Sequence, residues 1–385
     1  MNSFPFPRNV VVLGSTGSVG RNAVLELFEH REQFRTVGLV ARNSLSLLAK
    51  QATLLNAEVA VTTAFDKFDE LTRLLPASCQ AAAGEIAMTE LVTRPDVDVV
   101  LCAIVGTAGI RSVLAALASG KLVALASKEL LCMAGDLVMA AAKNSPGGGL
   151  IPVDSEHSGL FQCLHGRNAR EIDKLWLTAS GGPFRDVNSE TLKLVTLEEA
   201  LRHPVWSMGA KTTIDSATMM NKALELIEAH YLFDIPEEQL GAVIHPQSKV
   251  HALVELTDGT FLAQLSAPDM RMAIRYGMSF PERLEGTATR LSLPDIGNLD
   301  FQPVDTNRFP SILFAREAIR QGGSMPAILN AANDVAVERF KRGEIRFTDI
   351  WRIIEATMGA FSPQPQESLE QMLAIDREAR AFAET

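Results

Sequence analysis

The fold class is indicated most directly by residues 10–20, which read Val10-Val11-Val12-Leu13-Gly14-Ser15-Thr16-Gly17-Ser18-Val19-Gly20. The apolar run predicts a buried strand, and the spacing G-x-x-G-x-x-G predicts a tight turn that opens a helix. In such units the glycines let the backbone approach a phosphate, and the first N–H groups of the helix donate to it. The stretch therefore predicts a dinucleotide-binding turn, with a plain glycine-rich turn as the alternative.

The alternation of strand and helix continues from this turn to about position 150. Short β-rich runs lie at residues 36–40, 98–103 and 121–126, with helical stretches between strands. Strands that alternate with helices imply a parallel sheet. We therefore predict an α/β protein whose residues 1–150 form a Rossmann-like, dinucleotide-binding domain.

Later punctuation divides the rest of the chain. Pro146-Gly147-Gly148-Gly149 marks the first boundary. Mixed strands and helices follow, including a hairpin signal at Thr257-Asp258-Gly259. We predict an α+β catalytic and metal-binding domain at 151–285, a linker at 286–310 and a C-terminal helical domain at 311–385.

The end of the second predicted strand indicates the type of nucleotide. It reads Val40-Ala41-Arg42-Asn43-Ser44. NAD-binding domains usually place Asp or Glu there for the ribose hydroxyls, whereas Arg suits the 2′-phosphate of NADP. The segment therefore favours NADPH, unless Arg42 is a solvated surface charge.

Two distant segments carry acidic residues that suit a metal. The first, Asp154-Ser155-Glu156-His157, follows an apolar strand at 150–153. If that segment stays extended, Asp154 and Glu156 point to the same side. The second segment, residues 215–225, has helical spacing that places Asn221, Lys222 and Glu225 on one face.

Asp154, Glu156 and Glu225 together offer the oxygen ligands that Mg²⁺ and Mn²⁺ prefer. Like charges that converge also need a cation. We therefore predict a Mg²⁺ or Mn²⁺ site, although the Asn-Lys-Glu face taken alone is more typical of a solvated surface. Donors for substrate oxygens or phosphate are expected from Ser155, Ser216, Asn221 and Lys222.

Two loops complete the predicted site. Leu201–Lys211 combines Pro204 and Gly209 with Trp206 and Met208. This composition fits a flexible lid that excludes water, and a loop with a buried Trp is the alternative. A Gly-rich turn at 178–184 places Ser180 and backbone N–H groups where they can hold a phosphate.

Composition limits the partners and the location. The chain has 385 residues and a net charge of −10, which argues against a general nucleic-acid binder. Its four cysteines are scattered, as in reduced cytosolic proteins. The first residues lack a signal-peptide apolar region, and the run at 99–105 is too short to cross a bilayer. We expect a cytoplasmic enzyme that acts on a small molecule and has no membrane or nucleic-acid partner.

These motifs resemble the 1-deoxy-D-xylulose 5-phosphate reductoisomerase family. Asp-Ser-Glu-His at 154–157 and Ser-Ala-Thr-Met-Met-Asn-Lys at 216–222 are highly specific for it. Matching segments run in order over nearly the whole chain, at 14–20, 103–106, 126–129, 152–157, 177–185, 203–209, 215–225, 244–248, 268–271 and 328–333. Two positions depart from the family and both touch the cofactor: Ser127 replaces the usual Asn, and Arg42-Asn43-Ser44 replaces the frequent Gly-Lys-Asn.

The resemblance implies a homodimeric, metal-requiring oxidoreductase of isoprenoid precursor biosynthesis, in the methylerythritol phosphate pathway. It would use NADPH to rearrange and reduce 1-deoxy-D-xylulose 5-phosphate to 2-C-methyl-D-erythritol 4-phosphate. Metal ligation is implied for Asp154, Glu156 and Glu225, and these act catalytically with Lys128 and His203. Substrate contacts are implied for Lys128, Ser155, Glu156, Ser180, His203, Ser216, Asn221, Lys222 and Glu225. Cofactor contacts are expected from Thr16, Gly17, Ser18, Val19, Arg42, Asn43, Ser44, Ser127, Glu129 and Gly209.

Two other functions stay open on the sequence. A dehydrogenase of the aspartate-semialdehyde type carries a similar turn but needs an activated cysteine. Cys102 lies in an apolar strand and Cys132 is flanked by Leu131 and Met133, so neither has polar surroundings. A non-catalytic NADPH sensor would not need three carboxylates. Oxidation of NADPH with substrate, with and without EDTA, separates these possibilities.

Overall fold

The computed structural model describes residues 4–206 and 208–385. Its strands are β1 (Arg8–Leu13), β2 (Phe34–Ala41), β3 (Val59–Thr62), β4 (Gln80–Ala83), β5 (Val99–Cys102), β6 (Leu122–Leu125), β7 (Gly149–Pro152), β8 (Ile172–Ala179), β9 (Leu240–Ile244), β10 (Val250–Leu256), β11 (Phe261–Leu265) and β12 (Gln302–Pro303). Short 3₁₀ helices lie at Phe65–Lys67, Ala169–Glu171, Glu237–Gln239 and Leu293–Asp295.

The α-helices are α1 (Ser18–Glu29), α2 (Leu45–Leu55), α3 (Phe68–Leu74), α4 (Gly84–Thr93), α5 (Ile110–Ala118), α6 (Glu129–Lys143), α7 (Ser155–Leu164), α8 (Ser189–Leu192), α9 (Leu197–Ala200), α10 (Ala210–Ala217), α11 (Met220–Phe233), α12 (Met270–Ser279), α13 (Ser311–Gln321), α14 (Met325–Lys341), α15 (Asp349–Ala360) and α16 (Leu369–Glu384). Among the described residues, no helix combines the length and the hydrophobicity that crossing a bilayer requires.

The chain divides into two compact units. The first contains the chain up to Leu130 together with Val138–Ser158 and Asp269–Thr289, and the second contains Leu131–Leu137, Gly159–Pro268 and Arg290–Thr385. Each unit therefore draws on segments that are far apart in the sequence. The domain ranges inferred from the sequence, at 1–150, 151–285, 286–310 and 311–385, stay predictions.

The first unit contains a seven-stranded parallel sheet in the order β4-β3-β2-β1-β5-β6-β7. Val10, Val12, Val99 and Leu101 are fully buried. Such continuous apolar runs are typical of parallel strands that are covered on both faces. The order reverses between β1 and β5, and ligands of doubly wound sheets bind beyond the carboxyl ends of the strands at such a point. The predicted Rossmann-like sheet is confirmed.

Helix α12 belongs to the first unit although it lies late in the chain. Arg275 on α12 pairs with the fully buried Glu26 on α1, with 3.2 Å between Nη1 and Oε2. The backbone N–H of Thr287 donates to Glu29 at 2.8 Å. These contacts attach a segment of the predicted catalytic domain and linker to α1, and no local sequence pattern signals them.

The second unit contains a mixed five-stranded sheet in the order β11-β10-β8-β9-β12. Strands β8 and β9 are parallel, and the other neighbours are antiparallel. The predicted hairpin is confirmed, since β10 and β11 pair across a turn in which Gly259 has a φ of +82°. The C-terminal helices α13 to α16 belong to the same unit, so the predicted α+β and helical parts are also confirmed.

Candidate active site

The glycine-rich turn leaves β1 at the switch point of the sheet. A Cβ built on Gly14, whose φ is +85°, would lie 2.6 Å from the carbonyl oxygen of Ala103 after β5. A Cβ on Gly20 would lie 2.1 Å from the Gly14 oxygen, whereas one on Gly17 would keep 3.4 Å from it. Backbone packing therefore requires the first and third glycines, whereas the exposed middle one has room for a Cβ.

The turn presents unused donors beside this middle glycine. Gly17 caps α1 without any side-chain hydrogen bond to the first N–H groups of the helix. Gly17 and Ser18 are exposed, and Thr16 and Val19 are half-buried. The four residues predicted at the pyrophosphate thus lie together at a helix N-terminus, an arrangement that suits an anion.

The end of β2 carries the predicted ribose contacts. Arg42, Asn43 and Ser44 are all exposed. Asn43 Oδ1 accepts a hydrogen bond from Lys67 Nζ at 3.1 Å. Lys67 adds a second cation at this segment, through its contact with Asn43. No local sequence pattern indicates Lys67, because the fold brings it from the segment between β3 and α3.

The residues after β6 connect neighbouring strand ends. Ser127 is buried, and its hydroxyl donates to the carbonyl oxygen of Ile104 after β5. Lys128 is also buried, and its ammonium pairs with a carboxylate oxygen of Asp154 after β7. Glu129 begins α6. The fold therefore brings Lys128 and Asp154 together as the resemblance implies, while the hydroxyl of Ser127 is already engaged with the backbone.

The predicted extended course of residues 154–157 is wrong. Helix α7 begins at Ser155, and the Asp154 carbonyl accepts from the Ser158 N–H at 2.8 Å. Asp154 Oδ1 also accepts from the Ser155 N–H at 3.0 Å. The Ser155 hydroxyl donates to Glu156. Asp154 and Glu156 are consequently placed by a helical turn and not by strand alternation.

In the second unit, the Gly-rich turn after β8 lies against the end of α10. Gly182 has a φ of +67°, and a Cβ on it would lie 2.7 Å from the carbonyl oxygen of Ser216. The aromatic ring of Phe184 anchors the turn against Phe347, with 5.3 Å between centroids. This packing places the predicted phosphate ligands Ser180 and Ser216 on neighbouring backbone segments.

Hydrogen bonds define the tautomer of His203. Its Nδ1 accepts from the N–H groups of Val205 at 3.1 Å and Trp206 at 2.8 Å. Burial lowers the pKa of His203, so its neutral form is favoured. In that form the proton is on Nε2, which lies 3.1 Å from Ser180 Oγ. Ser180 Oγ also accepts from the Gly182 N–H at 3.2 Å, which leaves its own hydroxyl hydrogen to donate to a substrate.

A sharp bend separates α10 from α11. Met219 adopts a left-handed conformation with a φ of 63°, which costs about 1–2 kcal/mol for a residue with a Cβ. The carbonyl of Thr218 next to it accepts from Ser311 Oγ at 2.7 Å and from Trp351 Nε1 at 3.3 Å. Such strain often marks functional sites, and here the bend joins Ser216 at the end of α10 to Asn221 at the start of α11.

The polar face of α11 is buried and not solvated. Glu225 is 1% exposed and Lys222 is 3% exposed. Glu225 accepts from the Asn221 amide and pairs with the Lys222 ammonium. Helical spacing therefore brings these three residues together as predicted, and the alternative of a solvated surface is wrong.

The predicted lid, residues 201–211, ends in the first turn of α10. Trp206 and Met208 are half-buried, and the Trp206 ring lies 6.2 Å from the His251 ring. Gly209 caps the start of α10. Ser207 lies outside the described residues, and the role of this loop as a lid stays a prediction.

The cysteine-based alternative finds no support. Cys102 is fully buried, and desolvation raises the pKa of its thiol to about 11. A thiol with that pKa is not a nucleophile at neutral pH.

Comparison with known proteins identifies the family. Its models, described as 1-deoxy-D-xylulose 5-phosphate reductoisomerase and as the C-terminal domains of that enzyme, match residues 10–135, 150–233 and 265–382. A relative from Thermodesulfovibrio yellowstonii with the same name is 45% identical over 98% of both chains. The chain belongs to the 1-deoxy-D-xylulose 5-phosphate reductoisomerase family.

Solved reductoisomerases share its fold. The enzyme from Zymomonas mobilis, in complex with NADPH, is 41% identical and covers 98% of both chains with a TM-score of 0.92. A second reductoisomerase structure, in complex with NADPH, fosmidomycin and magnesium, is 38% identical with a TM-score of 0.92 over 98% of this chain and 97% of that one.

Proposed function

We infer that this chain converts 1-deoxy-D-xylulose 5-phosphate to 2-C-methyl-D-erythritol 4-phosphate with NADPH and a divalent cation, as a step of isoprenoid precursor biosynthesis. The observation that carries this inference is the 45% identity to a named reductoisomerase over 98% of both chains. The NADPH and magnesium in the titles of the related structures support the same cofactors here.

Asp154, Glu156 and Glu225 are proposed to hold the cation. They form an all-oxygen donor set that fits Mg²⁺ or Mn²⁺. A bound cation supplies Lewis-acid polarisation of substrate oxygens. The ammonium groups of Lys128 and Lys222 orient two of these carboxylates.

The substrate phosphate is proposed to bind Ser180, Ser216, Asn221 and Lys222. The Ser180 hydroxyl keeps its hydrogen for an anion because His203 and Gly182 donate to its oxygen. Lys222 adds positive charge at the same end of α11. Ser155, Lys128 and His203 are proposed as further substrate contacts. Closure of the lid with Trp206 and Met208 would exclude water from the reacting carbons.

NADPH is proposed to bind the turn at 14–20, where a Cβ at either outer glycine would collide with backbone. Its bound nicotinamide supplies the hydride for reduction. Thr16, Gly17, Ser18 and Val19 would contact the pyrophosphate, and Arg42, Asn43 and Ser44, with Lys67 beside them, the 2′-phosphate end. Glu129, Gly209 and the backbone near Ser127 are proposed as further cofactor contacts.

We also propose a cytoplasmic homodimer. All four cysteines are free thiols, which suits a reducing compartment. Strand β11 lies at the edge of the second sheet and exposes Phe261 and Leu265. Its sequence, Phe-Leu-Ala-Gln-Leu, has none of the Lys or Pro residues that usually block an open edge. We therefore propose that a second copy of the chain packs against this edge.

We predict that Glu225→Gln loses most of its turnover. The amide keeps the size of the side chain but loses the charge that would bind the cation. Because a Lewis acid contributes several kcal/mol, kcat should fall about 10³-fold or more. NADPH binding should change little, since the glycine-rich turn lies in the first unit. Absorbance of NADPH with substrate and Mn²⁺ measures turnover, and fluorescence titration measures binding.

Glu255→Gln is the matched control. Glu255 also lies in the second unit, but its carboxylate accepts from Trp176 Nε1 at 2.8 Å on the sheet. Near-normal turnover is expected for this variant. Equal losses in both variants, or loss of NADPH binding in Glu225→Gln, would count against the assigned role. Absence of any EDTA-sensitive NADPH oxidation by the unmodified chain would refute the proposed function itself.

A further inference from the structure

An ionic network centred on the buried Asp215 adjoins the proposed phosphate ligand Ser216 in the second unit. Asp215 precedes Ser216 on α10 and is only 2% exposed. Its Oδ2 accepts from Lys211 Nζ at 2.7 Å, one turn earlier on the same helix. Its Oδ1 accepts from Asn333 Nδ2 at 2.9 Å on α14. Both oxygens of this carboxylate are therefore directed by side chains of the same unit.

The network continues into the last helix. Lys211 Nζ lies 3.2 Å from Asp334 Oδ1 as an ion pair without hydrogen-bond alignment. Asp334 Oδ2 accepts from Arg380 Nη2 at 2.7 Å on α16. Arg380 Nε also donates to Asp376 at 2.8 Å. A chain of charged groups thus connects α10, through α14, to α16.

Burial of these charges has no evident value for stability alone. Well-packed apolar side chains of similar volume are often as stabilising as a buried ion network, or more so. Asp215 is the most buried charge of this network and has a hydrogen bond to each oxygen, whereas Asp334 Oδ1 and Asp376 Oδ1 accept none within the described residues. The contacts of Asp215 therefore fix one arrangement, because any shift of α10 leaves its buried charge without a partner. The arrangement that is fixed here includes the first and last turns of α10.

Both ends of α10 belong to the proposed site. Gly209, which lies in the predicted lid, caps the helix two positions before Lys211. Ser216 follows Asp215, and its carbonyl contacts the Gly182 turn. Rotation or translation of α10 would therefore displace the Ser216 hydroxyl and the base of the lid together.

We propose that Asp215, held by Lys211 and Asn333, is a positioning residue that sets Ser216 and the base of the lid for the substrate phosphate. Lys211 has a second role in this arrangement. It balances the negative charge of Asp215, which would otherwise repel a phosphate bound at the neighbouring residue. The proposal rests on the proposed function, and it gives a role to the matching segment at 328–333.

The test compares Asp215→Asn with the exchange D215N/N333D. In the single variant, the amide at position 215 loses the negative charge that pairs with Lys211. Its new N–H group finds an acceptor only if the Asn333 amide turns over, which breaks the hydrogen bond from Asn333 Nδ2, so α10 should shift. Because misplacement by about 1 Å can cost 10²-fold, the KM for 1-deoxy-D-xylulose 5-phosphate should rise about 10-fold to 100-fold. The value of kcat and the Kd of NADPH should change less than about threefold, since neither reacting group touches Asp215.

The exchange should restore binding. In the double variant, the amide introduced at position 215 donates to the carboxylate introduced at position 333, and its oxygen still accepts from Lys211. A return of KM to within about threefold of the unmodified chain is expected, because the hydrogen bonds are re-formed in reverse. A purely structural role would lower the melting temperature without this selective and reversible change in KM.

Two further variants keep the test decisive. If Asp215→Asn does not fold, Lys211→Gln carries the test, because Lys211 is 17% exposed and its loss should raise KM in the same way. Glu237→Gln is the matched control: Glu237 pairs with Arg316 and Arg320 in the same unit, far from α10 in the chain, and its KM should stay normal.

The outcomes separate this inference from the proposed function. If the unmodified chain oxidises no NADPH with the substrate and Mn²⁺, the proposed function fails. If the unmodified chain is active and folded Asp215→Asn or Lys211→Gln shows an unchanged KM, the positioning role is overturned. It is also overturned if KM rises equally in Glu237→Gln, or if the folded exchange variant is no better than the single one.

Discussion

At the scale of single residues, backbone donors set the chemistry of His203. Two N–H groups point at Nδ1, and the ring therefore cannot gain a proton there without losing both hydrogen bonds. Burial lowers the pKa of the ring in the same direction. The neutral ring then donates from Nε2 to the Ser180 oxygen, which leaves the serine hydroxyl hydrogen for another acceptor.

We predict that the KM for the substrate rises in acid through His203. Above the usual histidine pKa of about 6.5 the ring is neutral in both folded and unfolded chains. As the pH falls below that value, the unfolded chain binds the proton first, because the folded pKa is lowered. The turn at 203–206 therefore loses stability in this window and opens as the pH passes the folded pKa. Initial rates between about pH 8 and pH 5 measure the effect.

The non-titrating variant His203→Asn supplies the control. The KM of this variant for the substrate should be higher at neutral pH. Any further rise of its KM in acid should reflect only the substrate phosphate, which itself titrates near pH 6. An identical acid limb in both proteins would show that His203 is not the group responsible.

At the scale of elements, the sequence predicted the turn at 14–20 because its signals are local. A strand, three glycines and a helix occupy neighbouring positions, and each glycine acts through atoms of the adjoining backbone. The helix face at 221–225 was predictable for the same reason, since spacing alone brings its members together.

Non-local features could not be predicted in this way. Lys67 reaches Asn43 only because β2 and β3 are neighbours in the sheet. Asp215 meets Asn333 across 118 positions of sequence. The error at residues 154–157 has a different cause. The apolar run before them resembles a strand that continues, whereas a helix begins at Ser155, with the Asp154 carbonyl accepting from the Ser158 N–H.

We predict that Gly20→Ala destabilises the glycine-rich turn much more than Gly17→Ala does. The first adds a methyl group 2.1 Å from a backbone oxygen that cannot move aside. The free energy of unfolding should fall by about 1–3 kcal/mol or more, and NADPH binding should be lost with it. Gly17→Ala keeps 3.4 Å between the new Cβ and the Gly14 oxygen, at an ordinary φ of −73°. The free energy of unfolding should therefore fall by less than about 1 kcal/mol.

Denaturant titration followed by circular dichroism measures both variants. If Gly17→Ala destabilises the chain as much as Gly20→Ala, the separate roles assigned to the two glycines are incorrect.

At the scale of the whole molecule, the units offer two kinds of binding surface. The first provides a switch point with backbone donors for a nucleotide, and the second provides hydroxyl, amide and ammonium donors on α10 and α11 together with an open sheet edge. The composition of the chain indicates neither of these binding surfaces, because the net charge of −10 conceals local cations such as Arg42 and Lys222.

The open edge leads to the last prediction, that the chain is a dimer paired through β11. Phe261 is 52% exposed and Leu265 is 37% exposed on this strand, and an unprotected edge of this kind readily pairs with another strand. Light scattering should give twice the chain mass of 41.7 kDa. The double variant F261K/L265K should give the single mass, since a pair of cations from each copy would meet across the edge.

The double variant L194K/L293K is the matched control, because Leu194 and Leu293 are 79% and 80% exposed in the same unit but lie outside the sheet. It adds the same charge and should remain a dimer. Dissociation of both variants would indicate a general effect of charge, and a single mass for the unmodified chain would rule out the dimer. If only the β11 variant dissociates while it still binds NADPH, pairing at the edge is separated from folding of the first unit, whose sheet and glycine-rich turn use none of the substituted residues.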